Sequence, residues 1–306
     1  MRHPILSLIL AANFGWTASA AAAITAYWRH EDGSPGSFIP SGFATVLDSS
    51  GNGNHMRTFD PAFSSGTYSS SVSPVPLRSG LANTLSLDFG PGGDDAGLND
   101  DNYTDGAPIN GQAFTALTVE MAFNMNTVAG YQALFGRDGK PLGTSPVPPL
   151  KFLVRGDDFP DAIPNQLFIE FIDGDGDVHF VTSRSTITAG QWNHVAFTLS
   201  PTSAELWMAS ETEPYVLLDA IAGDFAGPNG DVLYPDFAPF TIGRGMFNGN
   251  VTDWADALID EVRVSDTSLA SDEFLFIPEP ASAALLALGS LAACARRRRA
   301  PSAAAR

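Results

Sequence analysis

Cysteine is almost absent from this 306-residue sequence; the single one is Cys294, close to the C-terminus. The rest of the chain therefore has no disulfide and no thiolate metal site, and its stability must come from a core, helped at most by an oxygen-liganded cation. Positive charge is also scarce. Of the 16 Lys and Arg, six lie at the extreme ends (Arg2, Arg296 to Arg299, Arg306), whereas all 34 acids fall between Glu31 and Glu279. The stretch between the ends thus carries 10 basic against 34 acidic residues, a net of −24, beside −18 for the whole chain. Phosphate binding needs clustered Lys and Arg, so this charge argues against nucleic acid as a partner. It fits a solubilised exported surface or one that binds cations.

Local signatures of catalysis are missing too. There is no G-x-S-x-G elbow, no H-E-x-x-H and no Gly-rich phosphate loop with Lys. A retaining glycosidase needs two carboxylates about 5–5.5 Å apart. Glu170 and Asp173 are three apart and would face opposite ways on a regular strand. His30, His55, His179 and His194 show no i,i+2 or i,i+4 spacing, so no zinc signature stands out. These absences point away from an enzyme.

The two ends carry processing signals. Arg2 and His3 precede the apolar run ILSLILAANFGW, and the small residues TASAAAA follow. That is the pattern of a secretory signal peptide, assigned to residues 1–23, and it implies the Sec export machinery as a partner. Cleavage fits after Ala20 or two to three residues later. At the other end, Ala281 to Ala295 gives 15 uncharged residues before four arginines. At about 1.5 Å per residue that is about 22 Å, short of a hydrocarbon core of about 30 Å. Arg296, Arg297, Arg298 and Arg299 would stay on the cytoplasmic side. The segment is a temporary inner-membrane stop and a poor permanent anchor. Pro278-Glu279-Pro280, a short apolar helix and an arginine cluster, in that order, resemble the PEP-CTERM sorting signal of Gram-negative bacteria, here residues 277–306. The resemblance implies cleavage near the Pro-Glu-Pro by an exosortase, with release or transfer to the cell surface or extracellular matrix, often beside exopolysaccharide production. Seven residues after the arginines, Ala300 to Arg306, depart from the pattern.

Residues 24–276 read as one all-β domain. Gly 29 and Pro 22 punctuate many short period-two runs. In ALTVEMAFNM, Leu117, Val119, Met121, Phe123 and Met125 share one face. QLFIEFI, QWNHVAFTL, YQALFGR, AELWMAS, YVLLDA and ALIDEVRV alternate similarly. A short helix is expected in SDTSLASDEFLF, capped by Ser265 or Asp266. A dozen strands in about 250 residues predict a two-sheet antiparallel jelly-roll sandwich. AYWRHEDG, LDSSGNGNHM, FTALTVEMAFN, AGQWNHVAFTL, TIGRG and the closing ALIDEVRVSDTSLASDEF, in that order, resemble the concanavalin A-like, laminin G-like family. The resemblance implies two curved sheets, often a calcium ion at one edge, and binding of glycans or proteins; the family also has catalytic branches.

Three acidic sites stand out. In ALIDEVRV the face Leu258, Asp260, Val262, Val264 is apolar except for Asp260, and a carboxylate on a core stripe must be paired, hydrogen-bonded or metal-bound. Asp260 is the candidate calcium ligand, with Asp48 of LDSSGNGN as a second; Asp48 alternatively closes an Asx-turn. Asp173, Asp175 and Asp177 in IDGDGDVHF resemble half an EF-hand loop, but Arg184 stands where its closing Glu should be, which leaves a hairpin turn as the other reading. Sugar sites combine an aromatic platform with planar polar groups. Trp192 and Trp254 are the candidate platforms, and Asn248, in GMFNGNVTDWAD, a candidate polar contact. The expected function is an exported, non-catalytic domain that binds extracellular polysaccharide. The competing readings are an adhesive surface protein that contacts other proteins, and a divergent polysaccharide hydrolase or lyase.

Overall fold

The computed structural model describes residues 23–58, 66–90, 102–139, 148–156, 163–236 and 238–277. All but the last residue of the signal segment lie outside this range, as do Pro278, Glu279, Pro280 and the four arginines.

Among the described residues the regular structure is nearly all strand. The first six strands are short: β1 (Ile24–Trp28), β2 (Gly42–Val46), β3 (Met56–Thr58), β4 (Thr67–Ser69), β5 (Ser86–Asp88) and β6 (Asn102–Tyr103). Longer ones follow: β7 (Leu117–Met125), β8 (Tyr131–Arg137), β9 (Leu150–Arg155), β10 (Gln166–Ile172), β11 (Val178–Thr186), β12 (Trp192–Leu199), β13 (Ser203–Ser210) and β14 (Val216–Ala222). The last four are β15 (Phe240–Ile242), β16 (Gly245–Phe247), β17 (Asn250–Thr252) and β18 (Ala257–Ser265). Sheet 1 has the order β14-β13-β12-β7-β18-β5-β4, with β1 added to β18; sheet 2 runs β11-β10-β9-β8-β15-β6-β3-β2. Every pairing within them is antiparallel. This is the expected two-sheet sandwich.

The core lies between the sheets. The alternating face of β7 (Leu117, Val119, Met121, Phe123, Met125) is fully buried there, as are Phe152, Ile169, Phe171 and Phe197. Phe152 meets Phe135 and Phe197 edge-to-face at 5.7 and 5.9 Å. Each such ring contributes about 1.5–3 kcal/mol by leaving water.

The closing strand departs from its sequence pattern. From Asp260 to Arg263, β18 advances three residues while β7 advances two, from Ala122 to Glu120. Glu261, at φ 52°, sits in the resulting bulge. The extra residue switches the alternation. Ile259, Val262 and Val264 enter the core, whereas Leu258 belongs to a separate apolar cluster with Ala122. Asp260 is paired with Ala122 and so shares that outward face. The core stripe expected through Leu258 and Asp260 is thereby corrected.

The expected helix after β18 is likewise reduced to one 3-10 turn, Ser271–Glu273. Ser265 ends the strand instead of capping a helix. Beyond the turn the chain extends as a strap across the outer face of sheet 1. Glu120 Oε1 accepts from the Leu275 amide at 2.6 Å, Phe276 bridges to Leu77, and the Ile277 amide donates to Pro76 O at 3.0 Å. Phe274 and Phe276 are fully buried. An extended strap buries these rings on both sides, which a solvent-facing helix could not do.

Candidate functional site

The two acids proposed for calcium occupy different surroundings. Asp48 is saturated. Its Oδ1 accepts from the amides of Tyr27 and Ser50, both at 2.9 Å, and its Oδ2 from Ser50 Oγ at 2.8 Å and the Asn54 amide at 2.9 Å. That is the Asx-turn arrangement, and it ties the loop to β1. Asp260 is fully buried; its Oδ2 accepts from Asn83 Nδ2 at 2.8 Å, while Asp260 Oδ1 and Asn83 Oδ1 have no partner. Burial, reinforced by the neighbouring Glu261 charge, pushes the Asp260 carboxyl well above the usual range. Glu261 itself accepts from Arg29 Nη2 at 2.8 Å and from the Tyr27 hydroxyl. No group of three or more His, Cys, Asp or Glu among the described residues is arranged to hold a metal. Asp173 is a turn organiser: its Oδ1 accepts from the amides of Asp175 and Asp177, and its Oδ2 meets His179 Nε2 at 2.6 Å.

The candidate platforms also separate. Trp192 points to the outer face of sheet 1, as its alternation requires. The strap and the segment around Val75 and Leu77 cover it, leaving 4% exposed. It offers no ring face to a ligand, which corrects its placement as a platform. His194, two residues on, is buried beneath the same cover; Phe276 stacks on it at 4.2 Å and Ser73 Oγ lies 2.6 Å from its Nε2. Burial lowers its pKa to about 3. Trp254 is half-buried and Asn248 exposed. The stretch holding Asn248 is a hairpin, β16–β17, turned by Asn248 and Gly249 at φ 49° and 76°. Asn-Gly supplies the two positive φ values that a type I′ turn needs. Phe247 and Val251 on it are 58% and 43% exposed.

The hairpin stands on the outer face of sheet 2. Asp253 O accepts from the Ala133 amide at 2.7 Å, and a Cβ on Gly245 would come within 2.8 Å of the Ala133 Cβ. Beside it, toward the β11 edge, lies a stack absent from the sequence reading. Phe180 is 57% exposed, and its ring stacks on Phe168 at 5.1 Å and 24°. The Arg155 guanidinium lies 3.4 Å from the centre of the Phe168 ring. Burial lowers the Arg155 pKa, with the Glu170 charge opposing. Lys151 and Glu170, directly opposite each other, pair at 3.8 Å. Alternation in QLFIEFI and DVHFVTS could have placed Phe168, Glu170 and Phe180 on one face. Nothing local shows which face is left open. An exposed ring flanked by planar polar groups can stack on a sugar and hydrogen-bond its hydroxyls.

Comparison with known proteins bears on the fold. Domain 4 of AbnA, a GH43 extracellular arabinanase from Geobacillus stearothermophilus, solved with arabinotriose, superposes with a TM-score of 0.50 at 14% identity, over 82% of this chain and 96% of that one. The binding domain of botulinum neurotoxin DC, solved with SialylT, gives 0.49 at 10% identity, over 82% of this chain and 49% of that one. The Ruminococcus gnavus IT-sialidase CBM40 bound to α2,3 sialyllactose gives 0.41 at 15% identity, over 53% and 80%. No curated protein matches the sequence. Residues 276–299 match the PEP-CTERM protein-sorting motif, and its first residue, Phe276, is buried against the outer face of sheet 1. Residues 97–274, more than half of the chain, match the family model of the Concanavalin A-like lectin/glucanases superfamily, and the chain belongs to that superfamily.

Proposed function

We propose that this is an exported protein of the bacterial surface or extracellular matrix whose sandwich binds glycan on the outer face of sheet 2. The observation that carries this is the Phe180–Phe168–Arg155 stack beside the Lys151–Glu170 pair, with its outer ring in solvent at the β11 edge. The arabinotriose-bound neighbour shares the fold, which is consistent with this use of it. The PEP-CTERM match supports sorting through the inner membrane and processing by an exosortase. Asp260 remains the proposed calcium ligand: its Oδ1 and Asn83 Oδ1 are two buried oxygens without partners, and backbone carbonyls would complete the 6–8 oxygens the ion takes. Asp48 has no oxygen to spare for it. A glycan array probed with the processed protein from its host tests the binding. Phe180→Ala should cost about fivefold or more in affinity, taking as the scale the about 1–3 kcal/mol that stacking of a planar nucleobase on one aromatic ring contributes. Unchanged binding by the variant would move the site elsewhere.

A further inference from the structure

The opposite edge of sheet 2 carries a second patch of the same make-up. Phe43 on β2 is 71% exposed, with the Arg57 guanidinium 4.2 Å from its ring centre. Arg57 Nη1 in turn pairs with Asp105 Oδ2 at 2.8 Å. An exposed phenylalanine, a guanidinium on an aromatic ring (the buried Phe168 at the first patch, Phe43 itself at the second) and a carboxylate thus recur at both ends of one face.

Strand register shows how far apart they lie. Phe180 stands opposite Glu170, Glu170 opposite Lys151, and Lys151 opposite Gly136. The row continues through Thr241 and Tyr103 to Arg57. Six steps at about 4.8 Å give about 29 Å. Gly136 and Thr241, in the middle, are buried, and the hairpin stands on the neighbouring β8 position Ala133. The two aromatic surfaces are therefore separate.

Resting on the glycan reading above, we propose that the domain has two glycan-binding patches, around Phe180 and around Phe43, and that the ligand is a neutral polysaccharide which the protein bridges. Charge chooses the ligand. Arg57 is paired with Asp105, Lys151 with Glu170, and the chain between its ends carries a net −24 that repels a polyanion. Separation chooses the length: a short oligosaccharide fills one patch, whereas a polymer engages both and gains avidity of about 100-fold or more.

The test measures binding of the processed protein to neutral polymers (arabinan, dextran), their short oligosaccharides, and a polyuronate. Neutral polymer should bind about 100-fold tighter than its oligosaccharide, and the polyuronate should not bind. Phe43→Ser and Phe180→Ser should each reduce polymer binding to the oligosaccharide level, and the double variant should abolish it. Both rings are exposed, so melting curves should match the wild type and report that the variants fold. If Phe43→Ser binds polymer like the wild type while Phe180→Ser is weakened, the second patch is refuted and the glycan reading stands. Preference for the polyuronate refutes neutrality. Absence of binding to every glycan overturns both. A concentration-dependent dimer that Phe43→Ser dissolves would make that edge a contact between copies and refute the bridge.

Discussion

His30 and His194 are both fully buried, and burial lowers their pKa values to about 4 and about 3. The unfolded chain holds histidine near 6.5. The folded values are depressed, so below pH 6.5 the unfolded state binds protons that the folded state refuses, and stability falls with pH. At pH 5 each histidine has lost about 2 kcal/mol, since one unit corresponds to about 1.36 kcal/mol. Loss from His30 and His194 thus proceeds from pH 6.5 down to about 4 and about 3, respectively. Buried carboxyls act in the opposite direction. Glu120 and Asp138 both have raised values, so each is penalised less as it is protonated on acidification. The wild-type curve alone therefore mixes both signs, and a difference isolates one of them. His194→Gln keeps an amide within reach of Ser73 and removes the titration. Between pH 7 and pH 5 the wild type should lose about 2 kcal/mol relative to this variant, or about 4–8 °C in melting temperature for a domain of this size. Scanning calorimetry of both proteins across this range measures the gap. Melting temperatures that move in parallel would show that His194 is not held neutral under the strap.

The calcium proposal is tested by melting with and without EDTA. Chelation should lower the wild-type midpoint and leave Asp260→Asn unaffected, and an unchanged wild-type midpoint removes the ion. Processing is tested by mass spectrometry of the protein in its native host, where the mature chain should lack residues 281–306; their retention would refute the sorting-tag reading.

Strand existence was legible because alternation is a local property. β7, β8, β10, β12, β13 and β18 all fall where period-two runs stand. Which side of a strand meets the core was legible only where the alternation is unbroken, as on β7. On β18 the bulge at Glu261 reverses it, and the sequence of a bulge looks like that of a regular strand. The helix expected after β18 failed for a tertiary reason: the chain gains more by laying Phe274 and Phe276 across sheet 1 than by forming helical hydrogen bonds in solvent. Trp192 shows the same limit. Its side of the sheet follows from its position in QWNHVAFTL, but its burial depends on a strap more than 80 residues further along the chain.

By itself, the amino-acid sequence determined the charge, the strand-rich class, the superfamily and the sorting motif, because each resides in composition or in short ordered stretches. The tertiary structure alone decided which aromatic rings remain in water. Exposure is set by what packs on top, and those segments come from elsewhere in the chain: the strap buries Trp192 and His194, while the edges of sheet 2 leave Phe180 and Phe43 uncovered.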